Sequence, residues 1–531
     1  MTSCGATTAP VSEVNERETG REGVARTAGR GGVAVLLAKA FFIVIGLVQQ
    51  TLLPRVIGLA GYGALSRVLA VASVVNNVVV SSSIQGVSRS VARARGLEHE
   101  ALRATLRVHV PLALAAAALF AAAAPLVARF EQAPHIEAPL VVAAGVVALY
   151  GLYAPLVGML NGCSQFTRQA ALDMTFALLR TAGLLGMGYL FVRRGLGGAL
   201  GSTLGFVMAA ACIVPLAARR AGLGRSGGEG LAEVPRPSAY LAELMPLALA
   251  QLGTNLLMQV DITILGRFLS KAAIFHVQAG GDPAKAADEW VGVYRACQLF
   301  AFLPYQLLFS VTQVLFPMLA RAKAEGDDQA VARYVARGSR IAMMACGLMV
   351  SIVVAAPESL LYFAYGTDIA ARGKDTLRIL ALGQGAFAML GIATTVLASL
   401  GRERLAAAIT LCACLTVPAA CIVAMPTDTF GRPQLLSTSM ATSVALGLAL
   451  IAGAIAVHRV ARAFVPFWTA VRVGALVLGA FAIGPYLPHA GRVGAVVTAM
   501  GIAAAYLTLL LASGELTKED AANVRALIGG K

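Results

Sequence analysis

The sequence predicts an all-α polytopic membrane protein of about fourteen transmembrane helices, arranged as two pseudo-symmetric six-helix lobes plus two extra helices. Three observations predict it. The chain has 531 residues, 58% hydrophobic and only 13% charged, and a mean hydropathy of +0.75. A water-soluble protein of that length does not hide so much apolar surface. Apolar runs of about 20 residues recur along the chain, the length of a membrane-crossing helix and about twice that of a barrel strand. Basic residues gather in alternate short loops, the positive-inside pattern.

The elements follow in order. Residues 1–30 mix Glu13, Glu16, Glu18 and Glu22 with Arg17, Arg21, Arg26 and Arg30, and read as a disordered cytoplasmic tail. The first apolar run is long enough to span and lacks a small-residue cleavage site, so it reads as a span and not a signal peptide. Spans near 31–54, 64–87, 109–128, 138–160, 170–191 and 196–217, each about 20 residues, make an N-lobe over 31–220. Residues 221–239 hold Gly, Ser, Glu and two Pro and read as a cytoplasmic linker. Spans near 241–266, 291–318, 341–364, 377–399, 405–424 and 435–456 make a C-lobe over 240–460, again about 20 residues each. Spans 13 and 14 fill 461–514, and 515–531 is a cytoplasmic C-tail. The 55 Gly suit close helix–helix contact.

An even number of spans puts both termini on one side. Taking that side as cytoplasmic places about 27 basic residues inside and 14 outside. The inner loops include Arg89, Arg93, Arg103 and Arg107, then Arg219 and Arg220, then Arg321, Lys323, Arg333 and Arg337. The net charge of +16, from 43 Lys+Arg against 27 Asp+Glu, is therefore membrane topology. No nucleic-acid motif accompanies it, and no nucleic-acid partner is expected. Cys4, Cys163, Cys212, Cys297, Cys346, Cys412, Cys414 and Cys421 lie mostly in apolar spans and read as small core residues, with no metal or disulfide site. No Walker A motif and no zincin His pair occurs. The chain is not expected to be an enzyme.

The two halves echo one another. Span 1 leads through Arg55 into Gly61-Tyr62-Gly63, and span 7 leads through Arg267 into Gly292-Val293-Tyr294. Repeated six-span halves are typical of transporters, with the substrate site between them. The second half carries an insertion over 271–290, expected outside the membrane.

Polar residues inside spans mark candidate cavity walls, because a lone Arg at bilayer depth costs roughly 2.5–3.5 kcal/mol. Span 8 carries Arg295, Gln298, Gln306 and Gln313. On a straight helix Gln306 lies about 20° from Arg295 and Gln313 in line with it, a stripe about 27 Å long. Span 1 contributes Lys39 and Gln50, span 2 Asn77, span 5 Arg180, and span 7 Asn255, Gln259 and Asp261. The competing readings are structural: Ser, Asn and Gln joining helices, Asp173 and Arg180 as a buried pair, Arg295 snorkelling to headgroups, and Asp261 pairing with Arg267. The cationic bias of Lys39, Arg180 and Arg295 suits phosphate or another anion, and the amides suit sugar hydroxyls. No cofactor is expected. A proton or Na⁺ gradient is the candidate driving force, with Asp261 the candidate coupling residue.

The stretch Leu52-Leu53-Pro54-Arg55-Val56-Ile57-Gly58-Leu59-Ala60-Gly61-Tyr62-Gly63 resembles the first helix and outer turn of the polysaccharide (O-antigen-type) flippases. These belong to the multidrug/oligosaccharidyl-lipid/polysaccharide exporter superfamily. Asp261-Ile262-Thr263-Ile264-Leu265-Gly266-Arg267, then Gly292-Val293-Tyr294-Arg295-Ala296 and Leu303-Pro304, resemble their seventh and eighth helices. The resemblance covers nearly the whole chain. It implies a central cavity between two lobes, and alternating access that turns a polyprenyl-pyrophosphate-linked oligosaccharide from the inner to the outer leaflet for polysaccharide and lipopolysaccharide synthesis. It implies a place in the inner membrane and, as partners, lipid-linked oligosaccharide, the bilayer, and polysaccharide polymerase or export machinery. On it, Lys39, Arg180 and Arg295 hold pyrophosphate and sugar while the lipid tail stays in the bilayer. The alternatives are a cation-coupled multidrug exporter, a peptidoglycan-precursor flippase and, last, a membrane glycosyltransferase or ligase.

Overall fold

The computed structural model describes residues 11–94, 96–223, 237–278, 280–487 and 491–515. Side chains are described from residue 41, with gaps that include Gln313. The side chains of Lys39 and Gln313 thus lie outside the described residues, as do most of the linker and the C-tail.

Helix α1 runs Val11–Arg93, beginning inside the segment read as a tail. It is two legs joined at Gly58, whose φ of 77° and ψ of 161° turn the chain between spans 1 and 2. Only a residue without Cβ takes that conformation at little cost. Helices α2 (Glu98–Phe130), α3 (Glu137–Gly162), α4 (Phe166–Arg193) and α5 (Gly198–Arg220) complete the N-lobe. One buried apolar cluster, drawn from residues 53–221, holds it together.

The C-lobe comprises α6 (Pro237–His276), α7 (Pro283–Ala301), α8 (Leu303–Ala324), α9 (Asp328–Ala355), α10 (Pro357–Tyr365), α11 (Thr367–Ser399), α12 (Glu403–Ala424) and α13 (Arg432–Ala461). Its core draws on residues 257–461 and takes in Ala70 from the second leg of α1. Helices α14 (Phe467–Ile483) and α15 (Gly491–Ala512) pack on α9, through a small cluster of Met344, Val473, Tyr506 and Leu510. Glu515 clamps them there, accepting from Arg340 Nε at 2.8 Å and Arg472 Nη1 at 2.6 Å.

Among the described residues, twelve helices are long and apolar enough to cross a membrane. One of them is α1, whose legs make two crossings, and the broken α7–α8 pair adds another, so the expected passes are recovered. Span 8 departs from the straight helix expected. It breaks at Phe302, and Pro304 sits in the first turn of α8, where its missing N–H is tolerated. The insertion over 271–290 is mostly helix. It extends α6 to His276 and opens α7 at Pro283, where Asp282 caps by accepting from Ala284 N at 3.0 Å and Lys285 N at 3.3 Å.

Successive passes place the Gly58 turn, Glu131, the short 3-10 turn Pro134–Ile136, Asp288 and α10 at one end of the bundle. Arg93, Glu243, Arg340 and Glu515 lie at the other. The second leg of α1 is zipped to α6 along this length. Arg67 Nη1 donates to Ser270 at 2.9 Å, Asn77 Nδ2 to Asn255 Oδ1 at 2.7 Å, and Arg93 meets Glu243 at 3.5 Å. At the Arg93 end Ser83 Oγ, His109 and Tyr240 OH form a buried chain across the lobes, at 3.0 and 2.8 Å. At the Gly58 end α1 crosses α7 with backbones in contact. A Cβ on Gly63 would stand 1.7 Å from the carbonyl oxygen of Asp288, and one on Gly292 would stand 2.8 Å from that of Leu59. The echo motifs of the two halves therefore meet each other in space.

Gly63→Val should force the two backbones apart. Overpacking of this kind costs about 1–3 kcal/mol, so the melting midpoint of the purified protein should fall by several degrees. Gly474→Ala, where a Cβ meets nothing within 4 Å, should leave it unchanged.

Candidate functional site

The polar residues of α6 and α7 form one connected network. Asp261 is 1% exposed. It accepts from Tyr294 OH at 2.7 Å, from Gln298 Nε2 at 3.0 and 3.2 Å, and from Ile262 N at 2.8 Å. Every bond is one in which a carboxylate accepts, which suits a charged group in a dry setting. Gln298 then turns its amide oxygen to Arg295, whose Nη1 donates at 3.0 Å and also reaches Gln259 Oε1 at 3.4 Å. Asp261 thus positions the Arg295 guanidinium through Gln298, without touching it.

This spacing follows from the helix. Tyr294 and Gln298, four apart on α7, lie on one face and both reach Asp261 on α6. Arg295 and Gln298, three apart, share the neighbouring face. The Asp261–Arg267 alternative is overturned: Arg267 lies over the Phe130 ring at 4.4 Å. The snorkelling alternative for Arg295 gives way to these inward bonds.

The N-lobe offers a second cation. Arg180 Nε donates to Gln49 Oε1 at 3.2 Å, and Thr181 shares that acceptor. The competing reading of Asp173 and Arg180 as a pair is not met; Asp173 accepts from Tyr153 OH at 2.9 Å instead. Gln50 accepts from Tyr62 OH at 2.8 Å. Among the described residues, Arg180 and Arg295 donate to amide oxygens and meet no carboxylate directly. Each is half-buried and keeps N–H groups for a further acceptor.

Among the described residues, α1 packs on α6 and α7 and makes no extended contact with α8. Val44 and Val48 on α1, and Leu307, Phe316 and Met318 on α8, are 41–58% exposed. Gln306 is exposed beside them. The break at Phe302 takes Gln306 out of the Arg295 network, so the single stripe read from span 8 becomes two patches. Asn77 and Asn255 bond each other across the lobes, and join the lobes there.

Sequence reasoning left out a buried ionic cluster at the Gly58 end. Arg67 Nε lies 3.0 Å from Asp288 Oδ1 and its Nη1 lies 3.8 Å from Glu131 Oε2, all with side chains 0–4% exposed. His135 Nε2 approaches Asp288 Oδ2 at 2.7 Å. One signal was visible, an Arg four residues into span 2. The other members sit in apparent loops far apart in sequence.

The chain matches the family model described as polysaccharide biosynthesis protein over residues 28–323, and the MatE model over residues 285–423. No curated protein matches it significantly in sequence. Its fold is similar to a structure described as lipid II flippase MurJ in an inward closed conformation. The TM-score is 0.67 and the identity 11%, over 91% of this chain and 99% of that one. It is similar also to an inward-facing multidrug resistance MATE family transporter of the MOP superfamily, with TM-score 0.56 and 14% identity over 82% and 95% of the two chains. A Pyrococcus furiosus transporter of that superfamily, described as having a binding pocket of reverse polarity, gives 0.52 and 16% over 83% and 96%. These structures are described as transporters and flippases. The chain belongs to the polysaccharide biosynthesis protein family, and its fold is similar to that of transporters of the MOP superfamily.

Proposed function

We propose that this transporter flips a polyprenyl-pyrophosphate-linked oligosaccharide from the inner to the outer leaflet of the cytoplasmic membrane, supplying polysaccharide or lipopolysaccharide synthesis. One observation carries the reading: Arg180 in one lobe and Arg295 in the other are bonded to amide oxygens, with no carboxylate at the tip. Such guanidinium groups favour a phosphate-bearing ligand. The polysaccharide family match supports a glycan as the cargo's other part.

The same polarity disfavours a cationic drug. The MurJ-like fold keeps a peptidoglycan precursor as the second reading, since lipid II too is a lipid-linked pyrophosphate. The exposed apolar side chains of the first leg of α1 and of α8, Val44, Val48, Leu307 and Phe316, offer a surface along which a lipid tail can stay in the bilayer. Orientation follows from charge: Arg89, Arg93, Arg103, Arg219, Arg220, Arg321, Lys323 and Arg333 all lie at the Arg93 end, which the positive-inside rule assigns to the cytoplasm with both termini. Asp261 is the proposed coupling residue for a proton or Na⁺ gradient, because its charge reaches Arg295 through Gln298.

In cells, Arg180→Ala with Arg295→Ala should raise inner-leaflet lipid-linked glycan and lower surface polysaccharide at least tenfold, at normal protein level. Arg295→Lys should retain part of the activity, because the charge stays while the planar fork is lost. Unchanged export would contradict the cationic site. In proteoliposomes, Asp261→Asn should lose the acceleration by an imposed proton or Na⁺ gradient, leaving only slow gradient-independent flipping. Full gradient dependence in that variant would remove Asp261 from coupling.

A further inference from the structure

The cluster of Arg67, Glu131, His135 and Asp288 takes no part in the cavity chemistry above. It straddles the lobes. Arg67 comes from α1, Glu131 from the end of α2 and His135 from the 3-10 turn, all N-lobe, whereas Asp288 comes from α7 in the C-lobe. From α6, Ser270 Oγ accepts from Arg67 Nη1 at 2.9 Å. Gly266 leaves room for the group, since a Cβ there would lie 3.3 Å from the guanidinium and 3.4 Å from Glu131 Oε2. Of the basic residues beside it on α6, Arg267 is turned onto Phe130 and Lys271, next to Ser270, is exposed.

The charges do not balance without a proton. One guanidinium faces two carboxylates in a space where Arg67, Glu131 and Asp288 are all but inaccessible. The cluster closes to neutrality when one proton sits on the His135 ring or on the Glu131 carboxyl. Neither Glu131 oxygen has a hydrogen-bond partner, so its ionised form is favoured by charge alone, chiefly Arg67 at 3.8 Å. His135, 35% exposed, opens the cluster to water at that end.

We propose that these four side chains form a single-proton latch holding the outer end of the two lobes shut. Loss of the proton leaves a net negative charge in the dry seam and favours opening of that end. Its name as outer rests on the orientation adopted under the proposed function. Burial pushes the Glu131 carboxyl up from 4.5 to about 7, against the pull of Arg67 and with the push of Asp288. The sign follows by linkage: a carboxyl raised in the closed form supports closure fully below its ordinary value. That support is lost as pH rises through about 7. The device gives the outward step a dependence on outside pH that is separate from cargo binding.

The test is a spin-label distance across this end. Glu137→Cys on α3 and Lys285→Cys on α7, both exposed, are labelled in a cysteine-free background and reconstituted in proteoliposomes. At outer pH 5 a single short distance is expected. At outer pH 8.5 a longer population should appear and become the larger one. Glu131→Gln, permanently neutral, and His135→Lys, permanently charged near Asp288, should each stay short at pH 8.5. A distance unmoved by pH at either face would overturn the latch, as would a wild-type response in both variants. A response to pH at the opposite face alone would support the latch and overturn the orientation.

Discussion

The contact between Gly63 and the α7 backbone sets the geometry on which the rest depends. Two helices approach this closely only where neither carries a Cβ at the crossing. The crossing fixes where the two lobes meet, and it fixes what lies one turn away. Arg67 follows Gly63 by four residues and enters the ionic cluster. Arg295 follows Gly292 by three and enters the Asp261 network. One backbone contact therefore places both a closure element and a cavity wall, on neighbouring faces of the same pair of helices.

The second constraint is electrostatic. A cation at bilayer depth must be solvated by something, and carboxylates are the usual partner. Here the two roles are divided. Arg67 is met by carboxylates directly and is locked into the seam. Arg180 and Arg295 are held by amide oxygens, which orient a guanidinium without neutralising it. Asp261 supplies its charge one residue removed, through Gln298, so Arg295 is steadied while its remaining N–H groups stay available. That division is what separates a structural cation from one able to receive an anionic ligand.

Much of this was legible in the chain. Lobes, passes and the Gly61-Tyr62-Gly63 and Gly292-Val293-Tyr294 echo follow from hydropathy and spacing, because each lobe buries its own apolar core. The straight stripe of span 8 was not, since helical phase carries through only if the helix does. The break at Phe302 separates Arg295 from Gln306, although Pro304 marked the place. Asp173 and Arg180 share a face by spacing, yet each finds a nearer partner on another helix, Tyr153 and Gln49. Periodicity cannot see such partners. The same holds for Glu131, His135 and Asp288: in sequence they belong to turns and an insertion, and only the lobe–lobe docking brings them to Arg67.

The claim at the centre is that a guanidinium-bearing cavity recognises the pyrophosphate of a lipid-linked cargo. The most direct measurement is the affinity of the purified, nanodisc-embedded protein for polyprenyl pyrophosphate compared with polyprenol of the same chain length. The account predicts binding at least tenfold tighter for the pyrophosphate, about 1.4 kcal/mol, with the difference lost on Arg295→Ala. Equal affinity for the two lipids, or a preference for pyrophosphate that survives that substitution, would contradict it.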